Sequence, residues 1–165
     1  MIELDFIVKG YPRTGRKIEE EGELAYVSRP DLIQGAFMGD AVLRLHGVDF
    51  STNFGWVTLL DWCLSLTVAV KSLEFTDSTA FTFSESDDYL EFRLRSGEVT
   101  VACSYSPLIA KADFQDLKVA VEGFVDRWLD WIVREFPDAL RNKAMPDVYM
   151  RLGRPFPSAP DGSST

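Results

Sequence analysis

The sequence predicts an α+β fold of two layers, in which a mainly antiparallel five-stranded sheet is covered on one face by two long helices. Three patterns carry that prediction. Residues 89–105, YLEFRLRSGEVTVACSY, alternate apolar and polar side chains on both sides of Ser96-Gly97, as a hairpin with one buried and one wet face requires. Residues 56–73 and 113–135 bracket that hairpin with aromatic-rich apolar residues at helical spacing.

Along the chain, Ile2, Leu4, Phe6 and Val8 alternate with Glu3, Asp5 and Lys9 and predict a first strand. Residues 10–23 carry basic side chains first and four glutamates afterwards, a composition that resists burial and predicts a long exposed loop. Pro30 and Gly35 interrupt the apolar stretch 24–38, which predicts no single element. Residues 41–48 predict a second strand, with Ala41, Leu43 and Leu45 on one face and Arg44 and His46 on the other.

Asn53 or a neighbour can cap a helix starting near Gly55. Trp56, Leu59, Leu60, Cys63, Leu66, Val70 and Leu73 form its stripe. Trp62, Leu64 and Val68 widen that stripe, so this helix should be covered on most sides. Phe81 and Phe83 mark a third strand, and the acidic turn Glu85-Ser86-Asp87-Asp88 leads into the hairpin. Its arms direct Leu90, Phe92, Leu94, Val99, Val101 and Cys103 to one side.

Pro107 is expected to end the meander. The second helix should start near Asp113 or Asp116, carry Leu117, Val121, Phe124, Trp128 and Ile132 inward, and stop before Pro137. Gly123 inside it costs about 1 kcal/mol relative to Ala, which predicts the close approach of another backbone there. Residues 1–140 thus make a single α+β domain, and 141–165 an extended Pro-rich C-terminal tail. Val148, Tyr149, Met150 and Leu152 give that tail an apolar segment able to fold back.

The 165 residues suffice for one domain with a sizeable core. A net charge of −9 repels phosphate backbones, so nucleic acid is not an expected partner and a basic protein is. Cys63 and Cys103 both lie in apolar patterns and read as buried free thiols, in keeping with a cytoplasmic location. The N-terminus lacks a signal-peptide pattern, and no apolar run reaches membrane-spanning length, so no membrane partner is expected.

Chemical motifs are sparse. CxxC, HExxH and calcium-loop spacings do not occur, and neither does a glycine-rich phosphate cradle, so neither metal nor cofactor is expected. His46 is the sole histidine; it is a general base if a carboxylate and a cleft converge on it, and a surface histidine otherwise. The open face of the meander displays Glu91, Arg93 and Arg95 as candidate binding residues. Trp62 and Trp131 fall on the shoulders of their helices, where an exposed ring would mark a partner surface.

The LLDWCLSL helix, the 89–105 hairpin and the FVDRWLDWIVREFP helix, in that order, resemble small uncharacterised bacterial α+β domains and immunity proteins of bacterial polymorphic-toxin systems. The likeness covers about half the chain and implies an acidic protein that neutralises a basic toxin. It carries no binding residue across. The leading expectation is a non-catalytic acidic protein-interaction module. One alternative is a small enzyme or ligand-binding protein with a pocket around Arg44 and His46. Another is a homodimeric structural protein.

Overall fold

In a computed structural model, which describes residues 1–9, 18 and 20–157, the first strand β1 (Ile2–Val8) lies antiparallel to β2 (Met38–Leu45). Leu4 faces Leu43 and Phe6 faces Ala41 across the pair. The two backbones run so close that a Cβ on Gly39 would sit 2.0 Å from the Ile7 carbonyl oxygen, a place only glycine can fill. A short helix α1 (Arg29–Gln34), capped by the Ser28 hydroxyl, precedes β2.

β2 ends at Leu45, three residues short of the expected end at Val48. His46 and Gly47 both have positive φ and form the two-residue turn into β3 (Val48–Asp49). Further on, β4 (Val57–Thr58) pairs with the opposite end of β2 and completes a four-stranded sheet.

Helix α2 (Leu59–Ser72) follows directly on β4 and buries Leu59, Leu60, Trp62, Cys63, Leu64 and Leu66. Next comes a meander of β5 (Ser78–Thr82), β6 (Tyr89–Arg95), β7 (Glu98–Cys103) and β8 (Ser106–Asp113), each antiparallel to the last. Ser96-Gly97 forms the predicted hairpin turn, again with positive φ at both residues.

One five-stranded sheet was expected; two separate four-stranded sheets are present. Much of the difference is β8. Pro107 lies where the β7–β8 register shifts at Ala102/Cys103, so the bulge accommodates a residue that cannot donate a ladder hydrogen bond. The chain then pairs onward to Asp113, with Ala110 and Ala112 turned inward.

Helix α3 (Phe114–Glu135) is capped by the Asp113 carboxylate, which accepts from the amides of Gln115 and Asp116 at 2.8 and 3.2 Å. Its stripe packs on β1, β8 and α2. Phe6 meets Phe124 and Trp128 edge-on at 6.3 and 6.5 Å, and Trp62 meets Phe124 at 4.9 Å. Gly123 is not explained by a close backbone: a Cβ there would meet only an Arg127 side-chain nitrogen, at 3.5 Å.

Of the expected tail 141–165 the structure describes 141–157, and residues 145–151 of it are helical. A 3₁₀ turn (Pro137–Arg141) leads to α4 (Met145–Arg151), which buries Met145, Val148 and Tyr149. Asn142, 1% exposed, donates to the carbonyls of Leu24 and Val27 and accepts from the Ala144 amide, tying this segment to the one preceding α1. Phe156 stands edge-on to Tyr149 at 5.2 Å. The predicted 10–23 loop lies mostly outside the described residues, although Ile18 and Leu24 are buried.

Two substitutions test this packing in chemical denaturation. Trp128→Ala, at a fully buried site, should cost about 3–5 kcal/mol. Gly123→Ala should stabilise by about 0.5–1 kcal/mol, because the added methyl meets no backbone.

Candidate functional site

Both helices cover the inner face of the second sheet, and its outer face has no cover among the described residues. In-register pairing places Ala80, Glu91, Ala102 and Ile109 in one row of that face. Ser78, Arg93, Thr100 and Lys111 make the next row. The sheet's twist hollows this face into a concavity of about 980 Å³ that includes Glu91, Arg93, Arg95, Glu98, Thr100 and Lys111.

Side chains in its floor are short, so the charged residues stand around it as a mosaic. Arg93 pairs along its own strand with Glu91 at 2.8 Å, and Lys111 reaches across to Glu98 at 2.6 Å. With Asp77 and Arg95 included, three acids balance three bases. The acidity of the chain therefore lies elsewhere.

Part of it gathers at one end of this sheet. The β5–β6 turn carries Glu85, Asp87 and Asp88, and the Ser84 hydroxyl donates to Asp61 at the start of α2. Beside it, Trp56 stacks on Phe54 at 4.9 Å, and Phe54 meets Tyr105 edge-on at 5.5 Å. The Tyr105 hydroxyl donates to the Phe50 carbonyl at 2.8 Å, joining the β7–β8 turn to the first sheet. Burial pushes the Tyr105 phenol well above its usual pKa, so it remains a neutral donor.

The other predicted residues are dispersed. Arg44 is exposed and held between Glu3 and Asp49, at 3.0 and 2.9 Å. The Ser51 side chain and amide, together with Arg44, keep the Asp49 carboxyl below its ordinary range. His46 stands exposed on its turn, its Nδ1 3.0 Å from the N-terminal amine. Neither Arg44 nor His46 lines the concavity on the meander face.

Trp62, expected on a shoulder, is 2% exposed and belongs to the core. An α2 that is apolar on nearly every side buries its shoulders too. Trp131 is half-buried among Phe6, Phe37 and Phe136, at 4.8, 6.0 and 5.1 Å, away from the meander face. Only Glu91, Arg93 and Arg95 share a site. The neighbours missed in sequence are Ser78, Ala80, Lys111 and Ile109; a β8 assignment was the signal that would have added the last two.

A second concavity of about 280 Å³ lies between α2, α3 and residues 152–154. Its cations are occupied: Lys118 pairs with Glu74, Arg154 with Asp126, and Lys71 donates to the Arg151 carbonyl at 3.3 Å. Among the described residues no three His, Cys, Asp or Glu side chains converge as a metal set, and no helix is long and apolar enough to cross a membrane.

No protein-family model matches the chain, and no curated protein or solved structure matches it either.

Both thiols are free and buried, and burial raises the pKa of each. A maleimide reagent at pH 8 should therefore leave Cys63 unlabelled in the native protein and label it fully in denaturant, as mass spectrometry of the modified peptides would show.

Proposed function

We propose that the protein is a non-catalytic, acidic interaction module that docks another protein on the open face of its second sheet. The observation that carries this reading is that face itself: four paired strands, uncovered and concave, with a floor of small residues. A concavity of this size leaves room for a partner's side chains beside Ser78, Gly97 and Thr100.

Charge divides the work. The neutral mosaic on the face sets register and rejects wrong partners, while the acidic turn at 85–88 and the overall charge of −9 draw a basic protein toward it. Neutralising a basic toxin, as immunity proteins do, is the form of this reading that the charge favours. Two free buried thiols suit a reducing cytoplasm.

Capture from a lysate of the cells that make the protein, followed by calorimetry with the captured species, tests the proposal. The expected result is a basic protein bound with micromolar or tighter affinity, at least tenfold more weakly at 500 mM than at 50 mM salt, and lost with Thr100→Trp. Binding that ignores both salt and the Thr100 substitution would overturn the reading, as would no binding at all.

A further inference from the structure

We infer that the stacked rings of Phe54 and Trp56, beside the acidic β5–β6 turn, receive an arginine side chain of a basic partner protein. The inference rests on the docking reading above and names the side chain that anchors the partner at the end of the sheet.

The loop from β3 to β4 is tied at several points. Asp40, 3% exposed, accepts from the Gly55 amide at 2.6 Å and from the Thr52 hydroxyl at 3.2 Å. Thr52 Oγ1 in turn accepts from the Ala41 amide at 2.9 Å, and the Phe50 carbonyl accepts from Tyr105. Between these ties Phe54 meets Phe83 and Tyr105 edge-on, at 6.1 and 5.5 Å. Gly55, with a φ of 75°, turns the chain, and Trp56 lies back on Phe54 with the ring planes 19° apart.

Trp56 differs from the other tryptophans. Trp62 and Trp128 are core side chains whose indole nitrogens are sealed from solvent, and Trp131 is enclosed by Phe6, Phe37 and Phe136. Trp56 is half-buried and meets a single aromatic ring among the described residues. Its N–H has no acceptor among them and is not sealed from solvent. An indole with one open edge is suited to contact rather than to the core.

Charge selects the occupant. The β5–β6 turn closes around Phe83, whose amide donates to the Asp88 carbonyl and whose carbonyl accepts from the Ser86 amide, at 2.9 and 3.3 Å. That brings Glu85, Asp87 and Asp88 to the aromatic cluster, and the Ser84 hydroxyl draws in Asp61. Asp88 accepts from the Ser86 and Ser104 hydroxyls, but none of these carboxylates has a cationic partner among the described residues. Nearby bases are committed: Lys9 pairs with Asp40, and Arg44 is held between Glu3 and Asp49. Arg151, beside Leu64 and Phe81, is the next base along the sheet, and counting it still leaves a negative excess. A guanidinium gains twice here. Its flat face stacks on the indole while its N–H groups reach the carboxylates, whereas a lysine ammonium acts as a point charge.

Titration of the full chain with octa-arginine, followed through the indole N–H resonances, tests this. The expected result is a saturable shift at Trp56 with Trp62 and Trp128 unmoved, and octa-lysine bound at least fivefold more weakly. E85Q/D87N, at two exposed positions, should weaken octa-arginine binding at least tenfold and leave the circular dichroism spectrum unchanged. Trp56→Ala should remove the preference for arginine over lysine. Thr100→Trp should leave octa-arginine binding intact, so this result is read separately from whether the meander face docks a partner. No binding, a Trp56 resonance that does not move, equal affinity for the two peptides, or full-strength binding to the E85Q/D87N protein would overturn the inference.

Discussion

Leu117, Val121, Phe124, Trp128 and Ile132 line the inward face of α3, and through them two separately hydrogen-bonded sheets become one molecule. Phe124 and Trp128 touch Phe6 of the first sheet, while Phe124 also receives Trp62 from the helix that covers the second. Each such side chain contributes about 1.5–3 kcal/mol on burial, whereas the exposed ion pairs of this surface contribute about 0–1 kcal/mol each. Packing against α3 therefore decides the architecture. Direct links between the sheets, such as the Tyr105–Phe50 hydrogen bond, orient what that packing has already joined.

This arrangement has a consequence for function. α2 and α3 are the only long helices among the described residues, and both are used on inner faces. Among the described residues nothing covers the outer face of the β5–β8 meander. The same economy leaves the β5 edge bare, whereas β1 receives Arg127 from α3 as a guard.

Much of this was legible in the residue pattern, because alternation and helical periodicity report burial directly. The β6–β7 hairpin, the inward stripe of α3, its Asp113 cap and its stop before Pro137 all follow from local chemistry. Pro107 hid β8, since a proline inside a strand is acceptable only at an edge or a bulge, and neither is visible without pairing. His46 was assigned to a strand although His46-Gly47 has the positive-φ chemistry of a turn. For the site, alternation identified Glu91, Arg93 and Arg95 correctly as one face. The balanced charge of that face, the burial of Trp62 and the guarded state of β1 depend on residues distant in sequence, beyond the reach of local periodicity. Buried polar anchors share this limit: Asn142, and Asp40 with its 2.6 Å bond from the Gly55 amide, look like ordinary loop residues in the chain.

α3 locks both sheets into one cooperative unit and, among the described residues, leaves the outer face of the second uncovered. Native-state hydrogen exchange addresses this most directly, through the amides of Val42 in β2, which faces β1, and of Phe92 and Val101 in the meander. Those amides should exchange only through global unfolding, with the same free energy and the same dependence on denaturant. Exchange of the Phe92 and Val101 amides through a separate, lower-energy opening would contradict the account, because the meander would then be a unit that α3 does not hold.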